Sequence, residues 1–269
     1  TPGIRAHVLD WSPDGTTLAF MLDRDTSDVW TIAVAGGHPD RVTTGRPLTT
    51  YWNDGNAVWS PDGVRLAFTQ DGSVYVVAAK GAVSAKGTPT KVCAGSGPVW
   101  LDDKRLIVGI DRDERTVLTV VEIADAWPQP LAHAGADYVA SVVSPDRTQV
   151  AYTVLHHDDL QCVSLHVVDA SAGGPSRVLV HNPGFAVRGP AWSPDGTQLV
   201  FACEWPGWYE IFLVDVKDGS ASRQLTTASA DFDDISFAAD GASLIATRCR
   251  QGVTDLVSVN VSNGAVTML

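Results

Sequence analysis

The feature that most constrains the fold is a five-residue motif that returns along the chain. Trp-Ser-Pro-Asp-Gly and its weaker copies begin at six positions: Trp11, Trp59, Trp100, Val143, Trp192 and Phe237. Neighbouring copies are 41 to 49 residues apart, so the copies fill the whole 269-residue chain. Self-similarity at such a period is typical of arrays and propellers, in which one supersecondary unit recurs.

Each unit is predicted to contain four short strands. In Ser-Pro-Asp-Gly, Pro suits the second position of a type I turn and Gly tolerates the geometry at its exit. An apolar second strand follows the motif, and the third strand is rich in β-branched and aromatic residues, as in Val74-Tyr75-Val76-Val77. The fourth strand is short, as in Arg41-Val42-Thr43. No stretch has a sustained apolar period of 3.6 residues over a helical length, so alternating strands and helices are not expected.

These units predict an all-β protein, a β-propeller of six four-stranded antiparallel blades. We expect a single propeller domain over 1–269, with blades at approximately 1–46, 47–94, 95–133, 134–183, 184–228 and 229–269. The first unit begins with its own inner strand, and the last ends with its own outer strand. The count leaves open whether six blades close a ring by themselves or belong to a seven- or eight-bladed parent.

The charge and the cysteines restrict the partners. Lys+Arg 19 against Asp+Glu 31 gives a net charge of −12, which disfavours nucleic acid and anionic membrane surfaces. Since no apolar run approaches the length of a membrane span, none is expected. The four cysteines (93, 162, 203 and 249) include no Cys-x-x-Cys pair. They therefore indicate neither a zinc site nor a disulfide scaffold, and they fit a reducing compartment.

Two kinds of turn are predicted at opposite ends of each blade. In the Ser-Pro-Asp-Gly turns each carboxylate is expected to accept backbone N–H bonds of its own turn, which makes these residues structural: Asp14, Gly15, Asp62, Gly63, Asp195 and Gly196. The second-to-third turns vary in length and chemistry, as at a recognition surface. In one of them Glu204, Trp205 and Trp208 are candidate contacts for a peptide or a docking domain. The alternative is that both tryptophans pack over the blade edge.

Chemistry-bearing motifs are otherwise scarce. Residues 156–159, His-His-Asp-Asp, are of the types that ligate metals. Adjacent histidines on an extended segment point to opposite sides, however, so a solvated hairpin tip is the preferred interpretation. The chain has no Gly-x-Ser-x-Gly, no phosphate loop, no His-Glu-x-x-His and no dinucleotide motif. We therefore predict no catalytic residue, no metal ligand and no cofactor in this chain.

The repeats resemble those of TolB-like proteins and of the N-terminal propellers of prolyl oligopeptidase-type serine peptidases. Two stretches resemble the peptidases more than TolB, particularly the acylaminoacyl-peptidase and dipeptidyl-peptidase branches. One is 201–215, with Gly-Trp before its third strand, and the other is 51–56, which leads into the motif at Trp59. The opening residues 1–3 look like the tail of a preceding fourth strand, which indicates a piece of a longer propeller.

The resemblance implies that the propeller caps a C-terminal α/β-hydrolase domain and restricts access to its Ser-Asp-His triad. Short peptides would then enter and folded proteins would not. Because the triad lies in that other domain, no catalytic residue is carried over to this chain. The dipeptidyl-peptidase branch also holds the substrate amino terminus with a Glu pair, and no matching Glu-Glu is present, which weighs against aminodipeptidase specificity.

Three functions remain as alternatives. The first is a non-catalytic propeller that gates peptide access to a serine peptidase domain, with a cytoplasmic location. The second is a TolB-like interaction module for protein or peptide segments, which would be periplasmic or secreted. The third is a metal-dependent lyase at the propeller axis, which would need several histidines converging on the channel. The oligomeric state is not predicted.

Overall fold

The computed structural model describes residues 5–23, 26–43, 46–47, 57–79, 88–113, 115–131, 137–156, 159–171, 174–181, 184–204, 207–217 and 222–269. Over these residues the strands form six antiparallel sheets in chain order, and no helix is present. This confirms the predicted class, a six-bladed β-propeller with the strand order first-second-third-fourth in each blade. No described segment is a helix long and apolar enough to cross a membrane.

The first three blades come from the N-terminal part of the chain. The strands of blade 1 are β1 (Arg5–Trp11), β2 (Thr17–Asp23), β3 (Thr26–Ala33), β4 (Asp40–Arg41) and β5 (Arg46–Pro47), of which β4 and β5 both pair with β3. Those of blade 2 are β6 (Val58–Trp59), β7 (Arg65–Gln70), β8 (Ser73–Ala78) and β9 (Thr90–Ala94). Those of blade 3 are β10 (Ser96–Trp100), β11 (Arg105–Arg112), β12 (Arg115–Glu122) and β13 (Pro128–Pro130).

The other three blades follow the same order. The strands of blade 4 are β14 (Asp137–Val143), β15 (Gln149–His156), β16 (Asp159–Asp169) and β17 (Arg177–Val180). Those of blade 5 are β18 (Val187–Trp192), β19 (Gln198–Glu204), β20 (Tyr209–Asp215) and β21 (Arg223–Gln224). Those of blade 6 are β22 (Asp231–Phe237), β23 (Ser243–Arg250), β24 (Val253–Asn260) and β25 (Val266–Met268).

The chain divides into two compact units. The first consists of Thr1–Arg112 and Leu118–Pro130, and the second of Asp113–Val117 and Leu131–Leu269. In the first unit, side chains of blade 1 such as Met21 pack against Trp59 and Phe68 of blade 2. Apolar residues on the other face of blade 2 join Trp100 of blade 3 in a second cluster.

The second unit shows why the second strands are continuously apolar. Side chains alternate between the two faces of a strand. In β19, Phe201 belongs to the cluster shared with blade 4, while its neighbour Val200 belongs to the cluster shared with blade 6. Both side chains are fully buried. Full burial of such a side chain contributes about 1.5–3 kcal/mol, so both faces of blade 5 contribute to stability.

The tryptophan of the repeated motif has different surroundings in different blades. In blade 5, Trp192 Nε1 donates a hydrogen bond to the main-chain carbonyl of Val142 in the preceding blade, at 3.1 Å. Trp100 makes the equivalent bond to Val58, at 3.0 Å. The Nε1 atom of Trp59 is buried with no acceptor among the described residues. Trp11 is 54% exposed.

Candidate functional site

The six predicted turn residues occupy the same geometry in three blades. In blade 5, Asp195 Oδ1 accepts hydrogen bonds from Ser193 Oγ at 2.6 Å and from the Thr197 main-chain N–H at 3.0 Å. Gly196 has a φ of +71° and donates its N–H to the Ser193 carbonyl at 2.9 Å. The equivalent residues are Asp14, Gly15, Asp62 and Gly63. The Ser193 hydroxyl is the main cause of the lowered pKa of Asp195.

These turns also contact one another between successive blades of a unit. A Cβ added at Gly196 would lie 3.8 Å from Pro145 Cδ, and one added at Gly241 would lie 3.6 Å from Pro194 Cδ. In the first unit the same relation holds between Gly63 and Pro13. In these three pairs the proline of one turn lies next to the glycine of the following turn. The turn carboxylates accept hydrogen bonds from the backbone of their own turns. We therefore assign these aspartates a structural role.

The candidate contact residues lie at the opposite end of blade 5. Glu204 is the last residue of β19 and faces Tyr209, the first residue of β20, across the strand pair. Trp208 stands just before β20 and remains 39% exposed. Trp205 lies outside the described residues. Gly207, with a φ of +88°, gives the chain the left-handed conformation that turns it back into β20.

The structure brings further charged residues to this end. The guanidinium carbon of Arg188 is 3.4 Å from the centre of the Tyr209 ring, and an Arg188 Nη2–Asp233 Oδ2 ion pair is 3.6 Å long. The main-chain N–H of Tyr209 donates to Asp231 Oδ1 at 3.0 Å. We call this set the blade 5–6 cluster: Arg188, Glu204, Trp208, Tyr209, Asp231 and Asp233.

The electrostatics of the blade 5–6 cluster favour cationic and hydrogen-bonding ligands. Burial raises the pKa of the Tyr209 hydroxyl, the Glu204 carboxylate raises it further, and the Arg188 guanidinium opposes both. Tyr209 therefore stays protonated near neutral pH, and its hydroxyl donates a hydrogen bond to the Glu204 side chain. The cluster contains three carboxylates and one guanidinium, so it has an excess of negative charge. Tyr, Trp and Arg are the residue types enriched at protein–protein interfaces.

A buried carboxylate holds the third strand of blade 5 next to this cluster. Glu210 is 3% exposed, and it accepts hydrogen bonds from Thr226 Oγ1 at 2.5 Å and from the Ser229 main-chain N–H at 2.8 Å. The Thr226 hydroxyl in turn accepts the Ile211 N–H at 2.9 Å. Blade 1 repeats the arrangement at Asp28 and Thr43. Because the arrangement recurs in two blades, we assign Glu210 a structural role.

Sequence reasoning missed Arg188, Tyr209, Asp231 and Asp233, although the chain contains a usable signal. Arg188 and Asp233 each lie four residues before their repeat anchors, Trp192 and Phe237. They therefore occupy equivalent positions on the first strands of adjacent blades. Aligning the repeats by these anchors would have placed the two charges side by side.

A separate group of potential metal ligands lies in blade 4. His156, Cys162 and His181 each bring one ligand atom to within 4.8 Å of the others. Of the segment 156–159, residues 157 and 158 lie outside the described residues. In the sequence, the nearest potential metal ligand to His156 is the adjacent His157. The structure places His156 beside Cys162 of β16 and His181, which directly follows β17.

The comparisons with known proteins agree with this fold. The sequence profile of the TolB beta propeller domain matches residues 126–269, which is more than half of the chain. Puromycin hydrolase is similar over 99% of this chain and 47% of its own, with a TM-score of 0.79 and 17% identity. This chain thus spans about half the length of that enzyme.

Two further structures are similar at comparable identities. A structure from a study of two prolyl endopeptidases matches 99% of this chain and 41% of its own, with a TM-score of 0.69 and 18% identity. An oligogalacturonate lyase from Vibrio parahaemolyticus matches 100% of this chain and 80% of its own, with a TM-score of 0.75 and 15% identity. Identities this low show a shared fold and nothing finer.

Proposed function

Because the chain belongs to the TolB β-propeller domain family, and its blades resemble the N-terminal domain of prolyl oligopeptidase-family peptidases, we propose that it is a non-catalytic peptide filter. In this proposal an α/β-hydrolase domain of the same protein cleaves short peptides. The propeller limits which molecules reach that domain. A fold alone does not define a function, so the proposal depends on the surface as well.

The observation that carries the proposal is the extent of the match to puromycin hydrolase. It covers 99% of this chain at a TM-score of 0.79, yet only 47% of the enzyme. The matched part of the enzyme is therefore a propeller-sized portion that accompanies a second portion of similar length. This chain contains no Gly-x-Ser-x-Gly segment, which is consistent with a propeller that works beside a separate catalytic domain.

The blade 5–6 cluster supports a peptide as the filtered molecule. The exposed Trp208 indole offers a flat apolar surface, and the Tyr209 hydroxyl, which already donates to Glu204, offers a hydrogen-bond acceptor. The carboxylates attract an amino terminus or a basic side chain. The net charge of −12 acts in the same direction over longer range. We therefore expect cationic or amino-terminally free peptides to be preferred over acidic ones.

The second candidate function is an interaction module without any attached peptidase. The TolB family match favours it, since that match covers more than half of the chain. In that case the blade 5–6 cluster would bind a segment of a partner protein. The lyase alternative gains no support from the described histidine side chains. These are His38, His156, His166 and His181, and none of them lies on the first strand of a blade. Of the described first strands only β1 contains a histidine, His7, whereas a converging site would need several.

Reading the coding region after the codon for Leu269 separates the two candidates. The peptide-filter proposal expects a continuing segment with Gly-x-Ser-x-Gly, followed by an Asp and a His in α/β-hydrolase order. The gene product should then hydrolyse short peptides and be inactivated by a serine-directed reagent. A stop codon directly after Leu269 would contradict the peptidase assignment and leave the interaction module.

A further inference from the structure

The blade 4 group combines side chains from three neighbouring parts of one sheet. His156 ends β15, Cys162 lies near the start of β16, and His181 directly follows β17. Leu155 pairs with Val163 and Leu165 pairs with Val180, so the register brings these three positions to the same end of the blade. The group belongs to the second compact unit and is separate from the blade 5–6 cluster.

The distances within the group suit a metal ion. The Cys162 Sγ–His181 Nδ1 distance is 3.7 Å. Tetrahedral zinc with Zn–S of about 2.3 Å and Zn–N of about 2.05 Å separates sulfur from nitrogen by roughly 3.6 Å. All three ligand atoms lie within 4.8 Å of one another. Side-chain movements of about 1 Å would bring them to the separations of tetrahedral zinc ligands.

The surroundings allow an ion to enter and would hold the ligands in place. The His181 side chain is exposed, which opens the group to solvent, while Cys162 is 1% exposed and keeps the sulfur out of bulk water. The Ser164 hydroxyl lies 2.7 Å from Nε2 of His156 and 2.7 Å from Nε2 of His166. Hydrogen bonds of this kind orient ligating imidazole rings in metal sites.

We propose that His156, Cys162 and His181 bind one divalent transition-metal ion of the zinc class. Imidazole and thiolate are the ligands that zinc prefers, whereas Mg²⁺ and Ca²⁺ prefer oxygen. Three protein ligands leave a fourth position for water or an incoming ligand. The ion would tie β15, β16 and the segment after β17 together at one end of blade 4.

Zinc titration of the purified chain by calorimetry tests the proposal. We expect one Zn²⁺ per chain, and no comparable binding of Mg²⁺ or Ca²⁺. Loss of a partner that merely orients a ligand weakens metal affinity about 10–100-fold, so His181→Ala and Cys162→Ser should each weaken it at least that much. Because His181 is exposed, its replacement should leave the fold intact, which circular dichroism can verify.

Matched control variants separate the site from other histidines and thiols. His38→Ala replaces an exposed histidine in another blade, and Cys203→Ser replaces a buried thiol in blade 5. Both should retain wild-type zinc affinity. Co²⁺ bound to the chain should show a thiolate charge-transfer absorption that Cys162→Ser abolishes and Cys203→Ser preserves. Absence of stoichiometric zinc, or unchanged affinity in both ligand variants, would overturn the proposal, whatever the outcome for peptide filtering.

Discussion

Replacement of Gly196 by Val tests the physical basis of the repeated turn. Gly196 has a φ of +71°, and a Cβ built there would meet only Pro145 Cδ at an ordinary 3.8 Å. The penalty therefore comes from the left-handed backbone, which costs a residue with a Cβ about 1–2 kcal/mol. Reduced freedom of the unfolded chain returns about 0.4–1 kcal/mol. We expect a net loss of about 1 kcal/mol for Gly196→Ala and a larger loss for the β-branched Val.

Blade 4 contains the natural counterpart of this substitution. Arg147 occupies the glycine position of its turn and has a φ of +62°. Arg147→Gly should therefore stabilise the protein relative to Arg147→Ala, because both variants lose the same charged side chain and only the alanine keeps the Cβ. A difference of about 1 kcal/mol corresponds to about 2–4 °C in Tm for a domain of this size. Thermal unfolding followed by circular dichroism measures the Tm of Gly196→Val against the wild type, and that of Arg147→Gly against Arg147→Ala. An unshifted Tm in Gly196→Val, or a less stable Arg147→Gly than Arg147→Ala, would refute the turn argument.

Three further predictions address the indoles, the turn carboxylates and the candidate contacts. Trp192→Phe should lower the free energy of unfolding more than Trp59→Phe in chemical denaturation, since only Trp192 loses an indole hydrogen bond, worth about 0.5–1.5 kcal/mol. Ser193→Ala should raise the pKa of Asp195 toward its ordinary value, which an NMR titration measures. Because the pKa of Asp195 is lowered in the folded protein, this carboxylate stabilises the fold at pH values above its unfolded pKa of 3.8, and that stabilisation is lost as the pH falls. The stability of the variant should therefore depend less on pH in this acidic range. In the full-length gene product, Trp208→Ala should alter peptide turnover without unfolding the propeller. The control Trp127→Ala removes a 68% exposed indole elsewhere and should leave peptide turnover unchanged. Equal turnover in both variants would count against the contact role of Trp208.

The blade architecture could be predicted from the sequence because the information is local and repeated. A turn motif such as Ser193–Gly196 makes all its hydrogen bonds within six residues, so its geometry follows from its own composition. The continuously apolar sequences of the second strands likewise indicate that both faces of a blade are buried. The fold class, the strand order and the turn positions could therefore be predicted from the repeats.

Placing the charges of the blade 5–6 cluster requires an alignment of the repeats by their anchors, and the blade 4 group could not be predicted from the sequence. The Arg188–Asp233 pair joins the first strands of two blades, and the Cys162–His181 contact depends on the register between β16 and β17. Such contacts are set by how distant segments align, which residue types alone do not reveal. Trp208 was named as a candidate because two tryptophans flank Pro206 and Gly207, which is a local feature of the sequence, and its contact role stays a prediction.

The most direct test of the peptide-filter account is the size selectivity of the full-length gene product. The same cleavable sequence is presented once as a short peptide and once in an exposed loop of a folded protein, and kcat/KM is measured for both. The account predicts rapid cleavage of the peptide and cleavage of the folded protein that is slower by orders of magnitude. Equal kcat/KM values for the two substrates would contradict it.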